Sequence, residues 1–266
     1  MRANPDRREA AETRAVADLF AAAPGAVVTD MGIGSSVVAT ATCLSTLAAP
    51  GSRELNQVHE ATGLDDAQLD AIDAWYASRG GTYVVGVVPE DRDRLGPMLT
   101  RRGFTPTRAW TKFVHDPSLE EPAPATDLTI DAARPGEFGA VVVAGYGMPE
   151  RMRDWIDALV GRPGWTCLIA RDETGAAVGA GALHVGPDGG WLGLAATLPA
   201  ARGRGAQRGL LSARLAVGRA AGADPIVTET GVAVPGSPQQ SHRNIERAGF
   251  RAAYVREHLA APGFPA

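Results

Sequence analysis

With 266 residues, 45% of them hydrophobic and 21% charged, the chain holds enough apolar material for one large domain or two of ordinary size. Its formal charge of −4, with no basic block, argues against general affinity for nucleic acid. Cys43 and Cys167 stand far apart and in no metal-ligand spacing, no run is long enough to span a bilayer, and no apolar leader opens the chain, which points to a metal-free cytoplasmic protein with two reduced thiols.

Residues 6–23 read as a helix, with Ala15, Leu19 and Ala22 at helical spacing and Pro24-Gly25 as its stop. Two β-like runs follow at 26–29 and 37–42, and the glycine-bearing segment 30–35 between them reads as a hairpin-type connection. Residues 55–60 form a further strand. Residues 65–78 form a helix capped by Asp65 or Asp66, with Leu69, Ile72, Trp75 and Tyr76 inward. A buried strand at 82–88, a short helix at 91–102, Gly103-Phe104 and a strand at 107–114 complete the first half. Proline-rich, acidic residues 116–126 separate it from the second. There the pattern predicts a strand at 128–132, helices at 136–145 and 150–161, and a hairpin pair at 165–171 and 178–185. Met152, Trp155, Ile156 and Leu159 face inward on the second of those helices. A central strand then runs over 191–198.

After that strand comes Arg202-Gly203-Arg204-Gly205-Ala206, then a helix on which Leu210, Ala213, Val217 and Ala221 share one face. Strand, glycine turn and helix together make an anion site: helix-start amides point outward, the dipole end is positive, and glycine lets a ligand approach the backbone. Other phosphate motifs do not fit. No Gly-Lys occurs anywhere, as a P-loop requires, and Arg208 stands where G-x-G-x-x-G needs its third glycine.

This stretch resembles the acyl-CoA motif [Q/R]-x-x-G-x-[G/A] of the GCN5-related N-acetyltransferases (GNAT), with Arg202 first, Gly205 fourth and Gln207 where Gly or Ala is usual. The resemblance extends to the preceding strand, the following helix, a strand at 226–230 and the closing Arg247-Ala248-Gly249-Phe250. The order strand, helix, strand, helix, Gly-Phe, strand occurs twice, so the chain is similar to a tandem GNAT protein. The expected fold is mixed α/β, two copies each with a mixed central sheet flanked by helices: 1–115, a linker at 116–126, and 127–266. In the first copy Ala61-Thr62-Gly63-Leu64-Asp65 replaces the arginine-glycine turn, and carboxylates at that helix start would repel a pyrophosphate. Only the second copy is expected to bind the cofactor.

The resemblance implies acetyl-CoA as donor and a small-molecule amine as acceptor, with direct transfer; no nucleic acid or membrane partner is expected, and a homodimer is left open. It assigns cofactor contacts to the backbone of Ala195 and Thr197, to Arg202, Gly203, Arg204, Gly205, Ala206 and Gln207 in the turn, and to Asn244. A base must take a proton from the amine, and Glu229 is the first candidate, with His184 second. A glutamate paired with an arginine or facing solvent is the alternative for that residue. The tyrosine that protonates the thiolate in many relatives is replaced by Ile245. That departure and Gln207 leave a second reading, a non-catalytic CoA-binding protein acting as sensor or partner.

Overall fold

The computed structural model describes residues 6–119, 126–234, 236 and 239–265. Most of the linker (120–125) and Pro235, Ser237 and Pro238 lie outside them. The first half contains α1 (Arg7–Ala21), α2 (Gly25–Met31), β1 (Gly34–Val38), β2 (Ala41–Ser45), β3 (Gln57–His59), α3 (Asp66–Ser78), β4 (Val84–Val87), α4 (Arg92–Arg101), β5 (Thr105–Pro106) and β6 (Trp110–His115). The second contains β7 (Thr129–Ala132), α5 (Phe138–Tyr146), α6 (Arg153–Asp157), β8 (Trp165–Arg171), β9 (Ala177–Gly186), β10 (Gly189–Thr197), α7 (Ala206–Ala220), β11 (Ile226–Gly231), α8 (Gln240–Arg247) and β12 (Phe250–Ala260).

The mixed α/β architecture matches the sequence reading, with one local reversal. Residues 26–29 are helical, not extended. Val27, Val28 and Thr29 favour a strand by propensity, but Pro24 at the N-cap and left-handed Gly32 at the C-cap frame a helical turn. The hairpin therefore falls one step later, between β1 and β2, turning at Ala39 with φ 56°.

Each half carries one parallel strand pair joined by a helix. In the first, β3 and β4 pair at Gln57↔Val84 and Val58↔Val85, with α3 as the crossover. In the second, β10 and β11 pair from Gly190↔Ile226 to Leu192↔Thr228, with α7 as the crossover. Two residues beyond the last pair, each first strand has a non-glycine residue in the left-handed region: Glu60 (φ 51°) and Leu194 (φ 48°). Each half also closes a helix on a left-handed glycine before phenylalanine, Gly103 (φ 84°) and Gly249 (φ 80°). The two halves thus share these backbone features at matching places.

Strands are exchanged between the halves, so a cut at residue 115 does not separate the two sheets. The hydrogen-bonded order is β1-β2-β3-β4-β12-β6-β11-β10-β9-β8-β7. β6 belongs to the first half by sequence, yet it lies between β11 and β12, pairing Val114↔Val227 through Trp110↔Gly231 on one side. β12 pairs with β6 over Phe250–Arg256 and then with β4 over Glu257–Ala260. Helix α1 also crosses over: Ala15, Leu19 and Phe20 share a buried cluster with Phe138, Trp155, Trp165, Trp191 and Val227. That cluster fills one face of the second sheet, and the opposite face packs Leu183, Leu192 and Ile226 against Leu211 and Leu215 of α7 and Ile245 of α8. The first half keeps its own core around Val58, Leu69, Ile72, Tyr76, Val85 and Leu99.

The buried side of α7 differs from the expected stripe. Leu210 is buried as predicted, but Val217 is 38% exposed and Ala221 is exposed. Leu211, Arg214, Leu215 and Gly218 face the sheet instead. An arginine on the core side is what turns the wheel, because periodicity counts it as polar. No helix among the described residues is long and apolar enough to cross a membrane.

Candidate functional site

Beyond Leu192 and Thr228 the parallel pair comes apart. β10 continues to Thr197 alongside β9, while β11 turns to β6 through Glu229↔Lys112 and Gly231↔Trp110. The Thr228 hydroxyl donates to the Leu192 carbonyl at 2.8 Å and closes the last rung. Against β9 the register slips between Gly193 and Ala196, leaving Leu194 and Ala195 without register partners on that strand. A bulge therefore faces a fork between two strands, where an extended ligand could add as a further strand. Ala195 and Thr197 both lie along this edge and are half-buried. The end of α5 closes the fork from one side: a Cβ at Gly145 would lie 2.6 Å from Cβ of Ala196, and neighbouring Tyr146 is 52% exposed.

At the mouth of the fork the chain makes a short 3-10 turn at Pro199–Ala201 and enters α7. Gly203 (φ 84°) and Gly205 (φ 82°) are both left-handed, a conformation that costs an L side chain about 1–2 kcal/mol. Gly205 is the N-cap, and no side chain caps the helix. The first-turn amides are thus left for solvent or an anion. At the matching place in the first half, Asp65 accepts from Gln68 N (2.8 Å) while the Gln68 side chain accepts from Asp65 N (2.9 Å), a complete capping box. One helix start is open and its counterpart is closed by its own side chains.

The predicted turn residues divide by role. Arg202 is exposed, and Ala206 is buried where the helix meets the sheet. Arg204 is committed elsewhere, donating to Asp127 Oδ2 at 2.6 Å and Glu173 Oε2 at 2.7 Å, while its carbonyl accepts from Thr126 Oγ1. It ties the turn to the start of β7 instead of extending toward a ligand. Gln207 and Asn244 meet: Asn244 Nδ2 donates to Gln207 Oε1 at 2.8 Å, bracing α8 against the first turn of α7.

The two candidate bases occupy different surroundings. His184 is in register with Trp191, about 10 Å back along the strand from Leu194. It is buried against Trp165 at a centroid distance of 5.0 Å, and burial lowers its pKa despite nearby Asp18. The structure does not bring it to the fork. Glu229 does sit at the fork, on the α1 side of the sheet. Its Oε2 lies 2.7 Å from Arg256 Nη2 and 3.1 Å from Lys112 Nζ. Burial works against its ionisation, but Arg256 and Lys112 outweigh that and hold its carboxyl below the ordinary value. The arginine-paired alternative describes this residue. A carboxylate held so firmly ionised is a weak proton acceptor.

Glu229 is one member of a buried cluster that sequence reading missed. Arg256 also binds Glu9 Oε2 (2.7 Å) and Glu12 through both oxygens (2.9 and 3.0 Å), and Lys112 contacts Glu12 directly. Tyr254 donates to Glu9. The members come from α1, β6, β11 and β12, so only the exchanged topology assembles them. The signal in the sequence is slight: the single lysine among 26 basic residues sits within a strand.

His59 and His258 border this cluster, both 3% exposed. Neither ring nitrogen of His59 has a partner, and the Gln57 side-chain amide lies 3.3 Å from His258 Nε2, a contact that suits an unprotonated ring nitrogen. Burial, with Arg256 adding to it, lowers His59 to about 4 and His258 to about 3. Folded values below the ordinary 6.5 mean that the unfolded chain takes up these protons first. Stability should therefore be intact above pH 7 and fall from about pH 6.5 downward, by about 2 kcal/mol per histidine at pH 5. Denaturant unfolding at pH 7.5 and 5.0 measures this, and a His59→Gln, His258→Gln double variant should flatten the difference.

The fold is that of the GCN5-related N-acetyltransferases. Such a protein from Kribbella flavida matches 99% of this chain and 97% of its own, with a TM-score of 0.63 at 17% identity. One from Sphaerobacter thermophilus matches 85% and 82%, with a TM-score of 0.62 at 17% identity. A tandem GNAT protein from the clavulanic acid biosynthesis pathway matches 85% and 79%, with a TM-score of 0.57 at 17% identity. No family model matches the sequence, and no curated protein does.

Proposed function

We propose that this protein transfers an acetyl group from acetyl-CoA directly to the amine of a small molecule, with the donor held by the second half. The observation that carries this reading is the uncapped start of α7 at the mouth of the fork, set against the self-capped start of α3. The pyrophosphate would lie on the amides around Gly203–Gln207, with Arg202 beside it, and pantetheine would pair along Ala195–Thr197. Arg204 and the Gln207–Asn244 contact support the turn from behind. The amine would approach the thioester from the α1 and α5 face, near Tyr146. Glu229 would attract its ammonium and fix its orientation, and water would carry the proton away. The first half covers one side of the site and takes no donor.

Gly205→Glu tests the placement. It forces a side chain into the left-handed region and sets a carboxylate in the anion site. Acetyl-CoA affinity should fall at least about 100-fold, from the strain and the charge together. Calorimetry on variant and parent, with melting curves as the folding control, reads this directly. Unchanged affinity would place the donor elsewhere.

A further inference from the structure

Arg214 lies where its charge is least expected. It is 1% exposed on the sheet side of α7, and no carboxylate among the described residues pairs with it. Its Nε donates to the carbonyl of Leu210 at 2.9 Å. Its Nη1 donates to the carbonyls of Ala182 (2.9 Å) and Gly193 (3.2 Å). Those two residues are register partners on β9 and β10, and the ladder slips immediately beyond them. Room for the guanidinium exists because β9 has glycine below it: a Cβ at Gly181 would stand 2.8 Å from Arg214 Cζ. Burial lowers the guanidinium pKa to about 10, which leaves it charged at neutral pH. An unneutralised buried cation is costly, and carbonyl dipoles offset only part of that cost.

We propose that Arg214 is a positioning residue of the donor site, a fixed positive charge beneath the bulge that favours negative charge on the thioester group above it. The inference rests on acetyl-CoA binding in the fork. Two effects act together. The guanidinium on the Gly193 carbonyl polarises the Gly193–Leu194 peptide, so the Leu194 N–H becomes a stronger donor. Its net charge, faced by the Tyr146 phenol and by no carboxylate among the described residues, also acts through a low-dielectric layer. In the reaction the amine lone pair forms the C–N bond at the thioester carbon while the C=O π pair moves to oxygen. Collapse re-forms C=O and breaks C–S, the pair leaving with sulfur as CoA thiolate, and the amine proton passes to water. Negative charge thus appears first on oxygen and then on sulfur, both beside the bulge.

Free CoA is the probe, because its thiol reports that field without an acceptor. The full-length protein is loaded with CoA, and the bound thiol is titrated by the ultraviolet absorbance of its thiolate. In the parent the thiol should titrate about one unit below free CoA. Arg214→Met should remove that shift, and Arg214→Lys should retain most of it, each variant being read at saturating CoA so that the bound thiol alone is titrated. An unshifted thiol in the CoA-bound parent, or equal loss in both variants, overturns the proposal while leaving the donor site intact. Failure of the parent to bind CoA overturns the donor site, and this proposal with it. Should Arg214→Met not fold, Gly181→Ala displaces the guanidinium without deleting its charge. A thiol pKa raised by that variant supports the assignment, and an unchanged one refutes it.

Discussion

A chain beginning at residue 126 is expected not to fold, although it holds the whole proposed donor site. Without β6, strands β11 and β12 lose the neighbour that lies between them. β11 would retain only its three rungs to β10. Removing α1 also uncovers the apolar face formed by Phe138, Trp155, Trp165 and Trp191. Arg256 would lose Glu9 and Glu12, and Lys112 is absent from the piece altogether. Each loss alone costs several kcal/mol against a total stability on the order of 5–15 kcal/mol. Expression of 126–266 should give insoluble or unstructured material, and co-expression with 1–119 should restore a soluble complex. Cooperative unfolding and CoA binding by the isolated piece would contradict this.

The second large effect is expected at Arg256, which is 2% exposed among three carboxylates. Arg256→Met leaves Glu9, Glu12 and Glu229 facing Lys112 alone. Removing one partner from a buried ionic group leaves uncompensated charge, at a cost of about 3–5 kcal/mol. Adding Glu12→Met should recover at least about 1 kcal/mol, since the charge balance of the cluster returns to that of the parent. Urea unfolding at pH 7.5 on the parent, single and double variants measures both. A single-variant cost below about 1 kcal/mol would mean that water already neutralises the group.

Features carried by short-range pattern were legible from sequence. The cap at Asp65 or Asp66, the strand at 165–171, and the glycine turn into α7 follow from local chemistry that needs no partner. What escaped was set by distant contacts. The exception is Val27-Val28-Thr29, which looks extended by propensity although Pro24 and Gly32 close by frame a helix. Arg204 looks like a phosphate ligand until Asp127 and Glu173 close on it. Arg214 and Arg256 look like surface arginines, since nothing within a few residues reveals that one will meet two ladder carbonyls and the other three glutamates. Glu229 is the mixed case: the sequence places it at the fork and leaves its pairing open, and the pairing depends on a strand that departs from the first half.

The passage of β12 from one sheet into the other constrains how such a chain can change over generations. Recombination at the acidic connector would join an orphaned closing strand to a foreign neighbour, so neither half can be traded as a module. Descendants must inherit both halves together, because the closing strand of one completes the sheet of the other.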